Sequence, residues 1–241
     1  MTTKTKSVAE SRSPLTREKV LRAAVRIADE GGVESLTMRN LAGVLGVEAM
    51  SLYYHVANKE AILDGIVEQV LAELNDVTAA VEKPSPFDWK AAMRGRILAA
   101  RQVLLRHSWA PGVIETRTTM SPPILTYYEN LLGLMRQGGF SYDLAHHAMH
   151  ALGSRALGFT QELFEPDDVD SGEEAASEML EQMASELPNL VGMMMEVGHD
   201  DPDSTLGWCD DQTEFEFGLD LILDGLDHQR QRPESIRAHR A

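Results

Sequence analysis

Apolar side chains recur three and four residues apart along almost the whole chain, the spacing that gathers them on one face of an α-helix, and no segment alternates convincingly as a strand does. The pattern predicts a first helix over residues 16 to about 30, with Val20, Leu21, Ala24 and Ile27 or Ala28 inward and Gly31-Gly32 as its end. A second starts at Thr37, whose hydroxyl can accept from a free amide of the first turn, and points Leu41, Val44 and Leu45 inward. Gly46 suits the left-handed residue that closes a helix, and Val47 follows it as an apolar plug. A third helix over 48–54 is roughly 10 Å long, short enough for a major groove about 12 Å wide. Leu52 and Val56 anchor it, while Ala49, Met50, Ser51 and Tyr53 face outward with Tyr54, His55 and Lys59 near the rim. Two short helices broken at a glycine are the pattern of a helix-turn-helix, and they point to DNA.

Asn58 reads as the cap of a long helix reaching about residue 80, with Ile62, Ile66, Val70 and Leu74 inward. The prolines of EKPSPF then stop it and mark a domain junction. Further helices are predicted over 88–106, 122–137, 142–164, roughly 173–186 and 214–229. Residues 107–112, the Gln137-Gly-Gly turn, the acidic EPDDVDSGEE run and GHDDPDSTLG separate them, and the last two read as mobile loops. Residues 1–14 form a polar tail expected to be disordered, in which Lys4, Lys6 and Arg12 are placed for loose phosphate contacts; 231–241 is a second polar tail.

Charge at first opposes a DNA reading, since the chain carries a net −16 and phosphate binding relies on cations. The charge is uneven, however. Residues 1–60 hold nine Lys or Arg against seven Asp or Glu, a local +2, whereas 61–241 hold thirteen against thirty-one, a local −18. No Lys or Arg occurs between Ala156 and Gln229, so the acidity lies away from the proposed DNA-facing end. A single cysteine, Cys209, excludes an internal disulfide and reads as a passive thiol. With no apolar run of membrane-spanning length and a polar start, the expectation is a cytoplasmic protein of two domains.

The run LTMRNLAGVLGVEAMSLYYHVANKEAILDGI resembles the DNA-binding segment of the tetracycline-repressor (TetR) family, most specifically through Leu52 to Lys59, and LTREKVLRAAVRIADEGGVESLT is similar to its first helix. GFSYDLAHHAMHALGSRALGFTQE and FEFGLDLILDGLD are similar to ligand-domain segments of the same family. The resemblance implies an all-α fold: a three-helix DNA-binding module with its linking helix over 15–80, and a helical effector-binding and dimerisation domain over 87–230. It implies that the helices around 145–159 and 215–226, with Gly153, Ala156, Gly158, Gly218 and Gly225, pair with their copies as a four-helix dimer interface. It implies DNA contacts from Thr37, Met38, Arg39, Glu48, Ala49, Met50, Ser51, Tyr53, Tyr54, His55 and Lys59. Arg39 has two readings, a guanine or phosphate contact and a surface salt bridge; Tyr54 is either at the DNA or packed. Ala49 and Met50 replace hydrogen-bonding side chains of relatives with apolar ones, which favours thymine methyl contacts.

Three constellations remain. His146 and His150, four apart beside His147, have the spacing of a metal pair, but histidines lining a pocket or dimer face are the stronger reading and no metal or cofactor is expected. The resemblance adds that Ser154 stands where the tetracycline repressor has a histidine helping to hold drug-bound magnesium, although Glu162 matches an acidic residue of that site; tetracycline with magnesium is therefore not the expected inducer. The Met193-Met194-Met195 run, with Met120, Met135, Met149, Met179 and Met183, either fills core or lines an adaptable effector pocket, with Trp89, Trp109 and Trp208 as candidate walls. The candidate effector residues are Trp109, His146, Met149, His150 and Ser154. No phosphate loop, G-x-S-x-G elbow or H-E-x-x-H pair occurs, so no enzyme is read. The expected function is a ligand-responsive homodimeric repressor released from a palindromic operator by a small molecule. The rival is an acidic helical interaction module whose helix-turn-helix serves a protein partner.

Overall fold

The computed structural model describes residues 14–82, 84, 87–117, 120–158, 184–197 and 211–232, and there is no strand among them. Contacts divide the chain into two compact units, Met1–Glu73 with Arg106–Ile124, and Leu74–Leu105 with Leu125–Ala241.

The first unit begins with α1 (Arg17–Gly31), capped by Thr16, whose side chain accepts from the Lys19 amide. The expected inward residues Val20, Leu21, Ala24, Ile27 and Ala28 are all buried. A single 3-10 turn, Val33–Ser35, leads to α2 (Met38–Leu45), α3 (Ala49–Leu52) and α4 (Lys59–Ala80). Asn58 caps α4 as expected, its side-chain oxygen accepting from the Ala61 amide at 2.8 Å. Ile62, Ile66, Val70 and Leu74 are buried along that helix. The unit is completed by α6 (Ala110–Glu115), a helix that the reading of 107–112 as punctuation missed. Pro111 hides it in the sequence, because proline suits a first turn, where its missing N–H costs nothing, as well as it suits a break.

The second unit contains α5 (Trp89–Arg106) up to Leu105, α7 (Pro122–Gln137) from Leu125, α8 (Tyr142–Gly158), α9 (Pro188–Val197) and α10 (Asp211–Gln231). Its core gathers Trp89, Met93, Ile97, Leu134, Met135, Phe140, Leu144, Ala148, Leu152, Phe215, Leu219 and Leu223. Trp89 meets Phe140 edge to face at 4.6 Å and donates its indole N–H to Asp227 at 3.0 Å. The acidity of α10 is matched by cations on α5: Lys90 pairs with Asp224, and Arg94 with Asp220 at 2.7 Å and Glu216 at 2.6 Å. Arg101, further along α5, donates to Gln212 at 3.1 Å, so the two helices run antiparallel with opposite charges in register. Gly139, at φ +84°, makes the left-handed turn between α7 and α8.

The helix predicted over 142–164 is described to Gly158, and α10 extends the predicted 214–229 at both ends. Residues 184–186 are helical, which agrees with the end of the helix placed over 173–186. A helix not predicted from sequence, α9, carries the three-methionine run; Val191 is buried on it and Met193 exposed. The two expected acidic loops, Glu162, Met179, Met183, Trp208, Cys209 and the tails 1–13 and 233–241 lie outside the described residues.

Candidate DNA-binding and effector sites

The helix-turn-helix is built by local chemistry. Thr37, in extended backbone, accepts from the Asn40 amide at 3.1 Å and starts α2. Gly46 at φ 65°, ψ 36° ends it, and the Val47 amide reaches back five residues to the Ala42 carbonyl at 3.0 Å, the bond that reverses a helix end through a left-handed residue. Glu48, extended, then opens α3. The seven-residue helix expected over 48–54 is shorter: one turn of α-helix, Ala49–Leu52, continued by turns bonded from His55 and Val56 to the Leu52 carbonyl.

Leu41, Leu52 and Val56 are buried, as expected of the anchors. Val44 is not: it is 44% exposed, and Ala42 takes the buried place beside Leu41. An eight-residue helix whose inward face is centred on Leu41 and Ala42 turns Val44 away. Of the expected outward residues Met50 and Tyr53 are exposed, while Ala49 and Ser51 are only partly so. Met50 is 72% exposed, and Thr37, Arg39, Glu48 and Tyr53 are exposed, with Met38, Ala49, Ser51, His55 and Lys59 half-buried. Tyr54 is 89% exposed, which decides against its packed reading. Arg39 makes no ion pair among the described residues, so its salt-bridge reading has no partner there.

A second polar assembly in the same unit had no signature in sequence. Asp29 on α1 receives His107 Nδ1 at 2.7 Å and the Trp109 indole N–H at 2.7 Å. The other ring nitrogen of His107, Nε2, lies 3.3 Å from Glu73 on α4, and Arg106 pairs with the same carboxylate. Burial raises the Glu73 carboxyl, but hydrogen bonds from Arg106 and His107 outweigh it and hold the group below its ordinary range. Farther along, Arg117 reaches Glu60 at 2.8 Å and Asp64 at 3.2 Å, fastening the segment after α6 to the first turns of α4. Four residues scattered over some eighty positions leave no motif, and Asp29 shares its side of α1 with Arg22 and Arg26, so nothing local marks it out.

In the second unit His146, His147 and His150 lie exposed on α8, with the His146 and His150 rings edge to face at 4.7 Å and Met149 half-buried beside them. Among the described residues no group of His, Cys, Asp or Glu is arranged to hold a metal ion. Ser154 is exposed on the same helix, and α10 exposes Phe217 and Leu221. Of the candidate effector residues, Trp109 stands apart: it belongs to the first unit, buried with its indole on Asp29. In the second unit Tyr127 is half-buried on α7, and desolvation raises its phenol to about 12.

A capped helix, a left-handed glycine and a one-turn helix presenting Met50, Tyr53 and Tyr54 over buried anchors define a helix-turn-helix DNA-binding protein. The family model "Bacterial regulatory proteins, tetR family" matches residues 20–66, and "Tetracyclin repressor-like, C-terminal domain" matches 83–230. The chain is 30% identical over 225 residues to the class C tetracycline repressor of Escherichia coli, covering 92% of this chain and 95% of the relative. It is 31% identical to the class A repressor from transposon 1721, over 88% of this chain and 90% of that one. Among solved structures, a possible TetR family regulator from Streptomyces coelicolor A3(2) superposes with a TM-score of 0.68 at 26% identity, covering 88% and 98% of the two chains. A single-substitution variant of TetR from Acinetobacter baumannii AYE in complex with minocycline gives 0.62 at 26% identity, covering 91% and 100%. The chain belongs to the tetR family, and is a ligand-responsive, DNA-binding transcriptional regulator. No helix among the described residues is long and apolar enough to cross a membrane.

Proposed function

We propose that the protein acts in the cytoplasm, without catalytic activity, as a homodimeric repressor that grips a palindromic operator through α2 and α3. In this reading, residues 15–80 serve DNA and 87–230 serve effector and dimer. The observation that carries it is the outward face of the helix-turn-helix, where large side chains stand in solvent over a fully buried anchor, Leu52. Met50, Tyr53 and Tyr54 exposed together within five residues form the kind of clustered surface that marks an interaction site. Arg39 and Lys59 hold phosphates or a guanine edge, Tyr53, Tyr54 and His55 position the helix, and Met50 with Ala49 reads thymine methyl groups. Thr37, Met38, Glu48 and Ser51 complete the contact set.

Two copies must set their recognition helices about 34 to 36 Å apart to reach successive major grooves. The exposed stripe of His147, Ala151 and Ser154 on α8, with Phe217 and Leu221 on α10, is the surface we assign to the second copy. His146, Met149 and His150 either line that face or the effector pocket. An effector that favours another spacing weakens DNA binding, a coupling of about 1 to 3 kcal/mol. Because Ser154 replaces a magnesium-holding histidine, tetracycline with magnesium is not the effector we expect. Selection of genomic fragments on the purified protein, followed by competition with candidate metabolites, tests the proposal: enrichment of a palindrome released by one metabolite class supports it. No enriched DNA would sink it in favour of the interaction-module reading.

A further inference from the structure

His107 is 8% exposed and lies between two carboxylates from different helices, Asp29 on α1 at 2.7 Å and Glu73 on α4 at 3.3 Å. A neutral imidazole has one N–H and one lone pair, whereas the charged ring has two N–H groups. Ionised carboxylates only accept, so both contacts are favourable together only when the ring carries its second proton. In the neutral ring one lone pair would face an anion. The charged groups around it are Asp29 from α1, Glu73 from α4 and Arg106 from the end of α5; Trp109 adds a neutral donor to Asp29. Two carboxylates, one guanidinium and one imidazolium cancel; with a neutral ring one negative charge is left over, and one carboxylate faces a lone pair of the buried imidazole instead of a donor.

Position gives this cluster a consequence. Glu73 is the last residue of α4 in the first unit, and Arg106 is the first residue of α5 in it. The contacts therefore join α1, α4 and α5 at the point where both long helices leave the DNA-reading unit, while Arg117 fastens the other end of the same segment to the start of α4.

We propose that His107 is a proton-dependent latch, closed in its charged form, that fixes α4 against α1 and so makes the packing of the DNA-reading unit, and with it operator affinity, depend on the protonation of this one ring. The latch holds when the ring is charged and slackens as pH rises and the ring loses its proton.

The test uses the full-length protein. Thermal unfolding of the wild type and of His107→Gln is compared at about pH 6 and about pH 8.5, both well above the carboxylate range. The wild type should exceed the variant at the lower pH by about 3 °C more than at the higher, the shift expected of one charge-assisted bond in a chain this long. Subtracting the variant removes the contribution of the other seven histidines. Should His107→Gln fail to fold, Glu73→Gln takes its place, and the same pH-dependent difference is expected. Nitrogen-15 spectra of labelled histidines should contain one ring with both nitrogens protonated at neutral pH that is missing in the variant. A wild-type-minus-variant difference that does not vary with pH, together with a neutral His107 ring, overturns the latch. Both readouts need no DNA, so a failure of operator binding counts against the regulatory reading alone. If an operator is in hand, the ratio of wild-type to His107→Gln affinity should fall by about threefold over the same rise in pH.

Discussion

Gly65 on α4 lies directly against Leu21 on α1: a Cβ built on the glycine would fall 2.6 and 2.7 Å from the two methyl carbons of Leu21. That contact sets how near the first helix comes to the long helix that follows the DNA-reading turn. Leu21 is itself buried, so its methyls have no solvent to swing into. Gly65→Val therefore overpacks the site, at about 1 to 3 kcal/mol, which outweighs the helix propensity gained on losing glycine. The melting temperature should drop by several degrees. Gly43, on α2, meets nothing within 4 Å, and Gly43→Ala should raise stability by about 0.5 to 1 kcal/mol. Thermal melts of the two variants check the pair.

Leu52 and Met50 are two residues apart in α3 and have opposite surroundings, one fully buried and the other 72% exposed. Leu52→Ala should cost about 2 to 5 kcal/mol and lose DNA binding by loosening the module. Met50→Ala should leave stability within about 0.5 kcal/mol and change which bases are preferred, lowering affinity for the wild-type operator by about 1 kcal/mol. Denaturant unfolding beside binding selections separates the two. A Met50→Ala protein with unchanged base preference would remove this residue from the reading set.

Among the described residues three carboxylates sit below their ordinary range. Glu73 is drawn down by Arg106 and His107 against burial, Asp227 mainly by Arg230 with help from Trp89, and Glu216 by Gln212 and Arg94. A lowered folded value means that the stabilisation is present above the ordinary carboxylate range and is lost as pH falls through the folded value. The melting temperature should therefore decline between about pH 5 and about pH 3, and the gap between the wild type and Asp227→Asn should shrink over that window. A gap that stays constant would show that Asp227 ionisation contributes nothing.

Most of the framework was legible in local pattern. Thr37, Gly46 and Asn58 announce their caps because the chemistry of a cap lies within three or four residues, and Leu52 and Val56 are visible as the apolar positions of a short polar-aromatic run. Val44 was misread because a short helix has room for only one narrow inward face, and composition does not say where that face is centred. Helix α6 was hidden by a proline that opens it. The cluster of Asp29, Glu73, His107 and Trp109 is tertiary throughout, with members on two helices and in the turn before α6, and no spacing rule reaches across it. The candidate effector residues do not come together: Trp109 lies in the first unit, while the histidines of α8 stand exposed in the second.

The central claim, that residues 37–59 hold operator DNA through a cationic and aromatic face despite the net −16 of the chain, is tested most directly by measuring operator affinity against salt concentration for the wild type and for Arg39→Ala and Lys59→Ala. Affinity should fall steeply and linearly on logarithmic axes, each variant should bind more weakly, and a cation on a phosphate should reduce the slope by about one when removed. An affinity indifferent to salt, or unchanged in both variants, would contradict the account.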